Sequence, residues 1–203
     1  MFNAHRLFLI GLVPVATLAL LPAVSHAQVI VLGAGYTEEC ASAAQNADDS
    51  KSTLVTGSRL ELRPLEICTH AIREDVENVA ANYNNRGVIH FSQQNYNAAF
   101  RDFEEAIQLQ EDRYQFHFNL GLALVRLERW AQSLEAFDRG FQLGGPTPGT
   151  DSSRLAEIYY NRGIANEESG NTRQAYDDYR RALELAPDWE LPTEELARFS
   201  VRR

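Results

Sequence analysis

The sequence of 203 residues is short of cysteine, proline and above all lysine: two cysteines, seven prolines, and Lys51 as the sole lysine against eighteen arginines. Two cysteines cannot staple a disulfide-dense mini-protein, and seven prolines with twelve glycines do not make a collagen-like chain. Wholesale disorder is excluded by a hydrophobic content of 44%. Positive charge is also in deficit, 19 basic against 28 acidic side chains, and a net charge of −9 lacks the basic footprint of a general nucleic-acid binder. Long apolar runs are missing too, with one exception at the start.

That exception reads as an address. Met1–Arg6 carries one positive charge, Leu7–Val24 is almost wholly apolar, and Ser25-His26-Ala27 sets small residues before a cut at Ala27/Gln28. Positive start, apolar middle and small-x-small exit are the parts of a secretory signal peptide, so residues 1–27 are expected to be removed. An uncleaved anchor is the alternative, weakened by Gly11, Pro14 and Pro22. The mature chain of 176 residues is then expected outside the cytoplasm, periplasmic or secreted, with no membrane insertion. In that oxidising setting Cys40 and Cys68 are expected to pair and close a 29-residue loop.

What the chain does have is a period. Tyr83-Asn84-Asn85-Arg86-Gly87 returns as Tyr159-Tyr160-Asn161-Arg162-Gly163, with His117-Phe118-Asn119-Leu120-Gly121 between them. The glycines are 34 and then 42 residues apart, and the turn-forming run Gly144–Asp151 accounts for the extra eight. Each glycine is followed at fixed offsets by a small residue (Ala99, Ser133, Ala175), an aromatic ring (Phe103, Phe137, Tyr179) and another small residue (Ala106, Gly140, Ala182). Apolar residues at helical spacing make two amphipathic helices per unit, such as Ala80–Ser92 and Tyr96–Leu109, joined by turns at Gln94-Asn95, Glu128-Arg129 and Gly170-Asn171. Close helix crossing needs small side chains, so Gly87 is expected to face the region of Ala99. Ala106 is expected to face the next unit, and the rings to fill the space between adjacent pairs. Gly140 in place of alanine is expected to loosen its helix by about 0.5–1 kcal/mol. A hairpin of this kind cannot bury its apolar face alone and must stack on a neighbour.

These offsets resemble the tetratricopeptide-repeat family. The resemblance implies an all-α, right-handed solenoid of helical hairpins: repeats at 80–113, 114–147 and 156–189, with a linker or insertion at 148–155. Residues 28–79 form an N-terminal lead-in and a degenerate unit, with helices over Glu38–Asn46 and Pro64–Arg73 clipped together by the disulfide. Asp48–Arg59 is expected as a loop, and residues 190–203 as a cap containing a short helix, Leu191–Phe199, with Thr193 as its N-cap.

The resemblance also implies function through a protein partner, a segment held on the face of the first helices. Carried over by phase from each glycine, that groove comprises Ala81, Asn84, Val88 and Phe91 from the first unit. Gln115, Phe118, Leu122 and Val125 come from the second, and Glu157, Tyr160, Ile164 and Glu167 from the third. A partner with apolar anchors and a basic end would suit it. Alternatively, Phe118, Leu122 and Val125 pack inside a tightly curled array. Clamping of a C-terminal carboxylate, a use known in the family, is not expected, because Asn84, Glu157 and Asn161 stand where bases would be wanted. Self-association and a role as an assembly accessory of an envelope complex, with no dedicated groove, are further alternatives.

Chemistry is sparse. Gly33-Ala34-Gly35 after Val29–Leu32 has the look of a dinucleotide turn, but Glu38 replaces the third glycine and no βαβ context follows, so a dinucleotide enzyme is a remote alternative and no cofactor is expected. His70, His90 and His117 form no metal-ligand spacing. The neighbours Glu104-Glu105, Glu167-Glu168 and Asp177-Asp178 diverge by about 100° on a helix and are expected on solvated faces. No enzyme is expected.

Overall fold

Helical periodicity becomes helices throughout. The computed structural model describes residues 36–48, 64–145 and 151–200. Among them lie α1 (Tyr36–Gln45), a 3₁₀ turn (Asn46–Asp48), α2 (Pro64–Glu74), α3 (Val79–Ser92), α4 (Tyr96–Leu109) and α5 (Tyr114–Arg126). They are followed by α6 (Trp130–Gln142), α7 (Ser152–Glu168), α8 (Thr172–Leu185) and α9 (Glu190–Ser200). The signal segment 1–27, the Gly33-Ala34-Gly35 turn, residues 49–59 of the loop expected over Asp48–Arg59 and residues 201–203 lie outside the described residues, while Asp48 itself closes the 3₁₀ turn.

The tightest packing is within the hairpins α3–α4, α5–α6 and α7–α8, and each second helix then packs on the first helix of the next pair. The architecture is a solenoid stacked in chain order. The three hairpin turns share one backbone solution. The residue after each C-cap is left-handed, at Gln94 (φ 61°), Glu128 (φ 57°) and Gly170 (φ 80°). The N–H groups of Asn95, Arg129 and Asn171 close back on the carbonyls of His90, Leu124 and Asn166 at 2.8–2.9 Å. This is the Schellman arrangement, which satisfies carbonyls that the helix end would leave bare.

Inside each hairpin the ring lies on its own glycine. A Cβ added at Gly87, Gly121 or Gly163 would fall 2.6–2.7 Å from the rings of Phe103, Phe137 and Tyr179. Gly87 thus faces α4 one turn beyond the region of Ala99, and the expectation that the rings fill space between pairs is corrected: they close the crossing of the pair they belong to. Burying each ring contributes about 1.5–3 kcal/mol. Ala99, Ser133 and Ala175 are buried alongside. Ala106 does meet the next unit, in a cluster with Ala80 and Phe116 of α5, and Ala182 is likewise buried. Gly140 is no loose alanine substitute. The ring of Phe118 sits where its Cβ would be, at 2.5 Å.

The ends differ from each other. Cys40 of α1 and Cys68 of α2 are bonded, fully buried, with Cα atoms 4.7 Å apart, and α1 packs on both α2 and α3. Asp151 accepts from the N–H of Ser153 at 3.0 Å, so α7 starts at Ser152, inside the stretch expected as linker. At the far end α9 begins at Glu190, which places Thr193 within the helix rather than at its N-cap.

Candidate interaction face

The first helices α3, α5 and α7 lie side by side, and α3–α5 and α5–α7 touch directly. Equivalent residues of successive units therefore meet. Asn119 donates to Asn84 Oδ1 at 2.7 Å, and Asn84 donates to Asn85 Oδ1 at 3.3 Å, all three amides being fully buried. One unit on, Arg126 donates to Asn161 Oδ1 at 3.3 Å, and Asn161 donates to the Glu157 carbonyl at 2.8 Å. The guanidinium of Arg126 also lies 6.0 Å from the centre of the Phe91 ring.

Much of the expected groove is interior. Val88, Phe91, Phe118, Leu122 and Val125 are only 1–7% exposed and belong to the main hydrophobic cluster; Ala81 and Asn84 are buried as well. Phe118 packs edge-on against Tyr114 (5.7 Å) and Phe141 (5.0 Å), and Phe91 against Tyr96 (5.3 Å). Helical phase aims these side chains toward the first-helix face, but the neighbouring helices close over them. They are core, not an open surface. Gln115, Glu157, Tyr160, Ile164 and Glu167 remain half-exposed.

Of these, Tyr160 and Glu167 are engaged at the far end of the stack. The Tyr160 ring lies 4.8 Å from Trp189 and 5.6 Å from Tyr179, and its hydroxyl donates to Glu195 at 3.5 Å. Burial, with Glu195 alongside, pushes that hydroxyl up to about 12. Glu167 accepts from the Tyr179 hydroxyl at 2.9 Å and from Arg198 at 3.0 Å. Burial and this bond to Glu167 hold the Tyr179 hydroxyl well above the ordinary phenol value.

Two clamps were not foreseen. Arg86 Nε and Nη2 donate to the two carboxylate oxygens of Asp102 at 2.9 and 2.7 Å, and Arg162 does the same to Asp178 at 3.0 and 2.6 Å. Each joins the first helix of a unit to its second. The signal was present in the sequence, an arginine just before the glycine and an aspartate fifteen residues after it in the first and third units, with Leu120 and Ala136 in the second. Asp178 is therefore buried, and Glu167 is half-buried; only Glu104, Glu105, Glu168 and Asp177 keep the solvated setting expected of them. His117 is buried with Nε2 2.9 Å from the Glu111 carbonyl, and desolvation lowers the pKa of both His117 and His90. Among the described residues no group of three or more His, Cys, Asp or Glu side chains could hold a metal ion, and no helix is long and apolar enough to cross a membrane.

Stacked hairpins with a glycine under a ring at each crossing point to one repeat class, and comparison with known proteins agrees. Tetratricopeptide-repeat family models match residues 80–113 and 112–188. The chain carries tetratricopeptide repeats. The first such domain of Spaghetti (RPAP3), solved bound to the HSP90 peptide SRMEEVD, superposes with a TM-score of 0.51 at 24% identity, covering 60% of this chain and 90% of that one. MamA 41-end from Desulfovibrio magneticus RS-1 gives a TM-score of 0.59 at 16% identity, covering 81% and 85%. These likenesses establish the fold. A curated relative, the BBSome complex member BBS4 homolog of Drosophila melanogaster, is 26% identical over 131 residues, 63% of this chain; the match spans only 26% of that relative's length.

Proposed function

We propose that this tetratricopeptide-repeat chain is a non-enzymatic protein-interaction module that holds a partner segment on the half-exposed part of the first-helix face. The observation that carries the reading is the side-by-side alignment of α5 and α7, which leaves Gln115, Glu157, Tyr160, Ile164 and Glu167 half-exposed above a closed core. Apolar anchors beside carboxylates favour a partner segment with apolar side chains and a basic end. The solved RPAP3 domain with its HSP90 peptide supports peptide holding by such a fold. Glu157 and Asn161 argue against the same acidic ligand here. The working compartment in this reading is the periplasm or the exterior, with cleavage near Ala27/Gln28, and the buried Cys40–Cys68 bridge suits an oxidising setting.

A second reading has an envelope assembly accessory without a peptide groove, and burial of Val88, Phe118, Leu122 and Val125 favours it. One experiment separates the two. A photo-crosslinking side chain placed at Gln115, Glu157 or Ile164 should capture the partner in native extracts, while the same probe at Glu105 or Arg139, exposed on second helices, should not. Crosslinks confined to the second-helix positions would reject the first reading. N-terminal sequencing of the mature protein should begin at Gln28.

A further inference from the structure

Three of the arginines on first helices present their guanidinium groups in one pattern. Nη1 of Arg86, Arg126 and Arg162 donates to a side-chain oxygen at 3.3 Å: Thr69 Oγ1, Asn161 Oδ1 and Asp138 Oδ1 respectively. In Arg86 and Arg162 the other edge, Nε with Nη2, grips both oxygens of an aspartate at 2.6–3.0 Å. In Arg126 that edge meets no carboxylate, nor any other acceptor, among the described residues.

Arg126 is nonetheless held in position. It is the last residue of α5 and half-exposed. Asn161, only 3% exposed, is itself fixed by its bond to the Glu157 carbonyl at 2.8 Å, so the oxygen it offers Arg126 is set in advance. On the other side the Phe91 ring lies 6.0 Å from the guanidinium. The group therefore spans α3, α5 and α7, and its charge opposes the rise in the Tyr160 hydroxyl, which places it beside the half-exposed patch. A fork of donors fixed before a ligand arrives loses little freedom on binding, and its geometry matches a carboxylate through two parallel bonds.

We propose that the Nε–Nη2 edge of Arg126 is the recognition point for an acidic side chain of the partner segment, an aspartate or glutamate set among apolar residues that rest on Tyr160 and Ile164. The proposal rests on the reading above that a partner segment is held on the half-exposed first-helix face, and it adds a specific acid to that partner. Asp102 and Asp178 supply the template, each with its two carboxylate oxygens on Nε and Nη2 of an arginine. A second acid would meet Glu157 or Glu167 of α7, so the segment carries one carboxylate at this place and its basic end lies beyond it.

The probe is a random peptide library displayed through its C-terminus, so that only side-chain carboxylates are offered, selected on the disulfide-intact chain. Selected peptides should carry Asp or Glu at one fixed position beside apolar residues, and selection on Arg126→Glu should put Lys or Arg there instead. For the tightest peptide, changing that acid to its amide should raise Kd at least tenfold on the wild type and less than twofold on Arg126→Met. Arg126→Lys, which keeps the charge but not the fork, should fall between. The peptide-side change leaves the protein untouched, so a folding defect cannot mimic the result. Peptides with no fixed acid, or an equal loss on wild type and Arg126→Met, would overturn the proposal. Peptides weakened by Ile164→Arg but indifferent to Arg126 would sink the arginine and leave the first-helix reading standing. Peptides indifferent to both changes, or a library that yields none, would reject both.

Discussion

Arg86 grips both carboxylate oxygens of Asp102, sixteen residues further along the chain, at 2.7 and 2.9 Å, and so fastens the two helices of its hairpin to each other. The same grip recurs between Arg162 and Asp178. At the equivalent positions of the middle hairpin stand Leu120 and Ala136. The fold therefore contains its own comparison of an ionic with an apolar solution to one packing problem.

From that comparison, Asp102→Ala should destabilise by about 3 kcal/mol, because it leaves the guanidinium of Arg86 partly buried without its carboxylate. The double change Arg86→Leu with Asp102→Ala, which copies the middle unit, should recover at least half of the loss. Urea midpoints of wild type, single and double variants measure it. A double variant no better than the single would show that the two solutions are not exchangeable.

The hairpin turns carry a removable cost. Gln94 and Glu128 adopt a left-handed backbone that costs a residue with a Cβ about 1–2 kcal/mol, and Gly170 does without it. Gln94→Gly and Glu128→Gly should each raise stability by about 1 kcal/mol in equilibrium unfolding, and Gly170→Ala should lower it by a similar amount.

Two buried asparagines should respond with opposite sign. Asn82 is fully buried with neither its amide nitrogen nor its oxygen hydrogen-bonded, so Asn82→Leu, close in shape, should stabilise by about 1–3 kcal/mol. Asn119 donates to Asn84, and Asn119→Leu should cost about 1–3 kcal/mol. Thermal midpoints moving in the same direction for both would contradict this.

Acid should weaken the fold before the carboxylates titrate. Desolvation lowers the pKa of His117 and of His90 in the folded chain, although the Glu111 carbonyl and Asp102 respectively pull the other way. The unfolded chain thus takes up protons first. The stabilisation is complete above the unfolded imidazole value of about 6.5 and is lost as pH falls through the lower folded values. Denaturant midpoints between pH 7.5 and 5 should fall in the wild type, and His117→Gln should flatten that slope.

The repeat, its helices and its turns were legible because stacking imposes a register that residue types must obey. Gly87, Phe103 and Ala106 could be assigned to packing from their offsets alone. Which atoms they touch could not: Phe103 lies one helical turn beyond Ala99, and it is the longer side chain that reaches Gly87. The interaction face was harder still. Phase shows which way Val88, Phe118 and Leu122 point, whereas exposure depends on how closely adjacent helices approach, and here Phe118 enters the space left by Gly140 and Gly145. The arginine–aspartate clamps were readable in principle. They were missed because the middle unit lacks them, and agreement across all three units is a filter that discards a pattern present in two.

The covalent bridge at one end of the stack has a mechanical consequence. Pulled from both termini, a linear array welded near Cys40 and Cys68 and closed at the other extremity by α9 has one seam that yields first. Unravelling should travel from the carboxyl end inward, hairpin by hairpin, and leave the amino-terminal hairpins folded until the last.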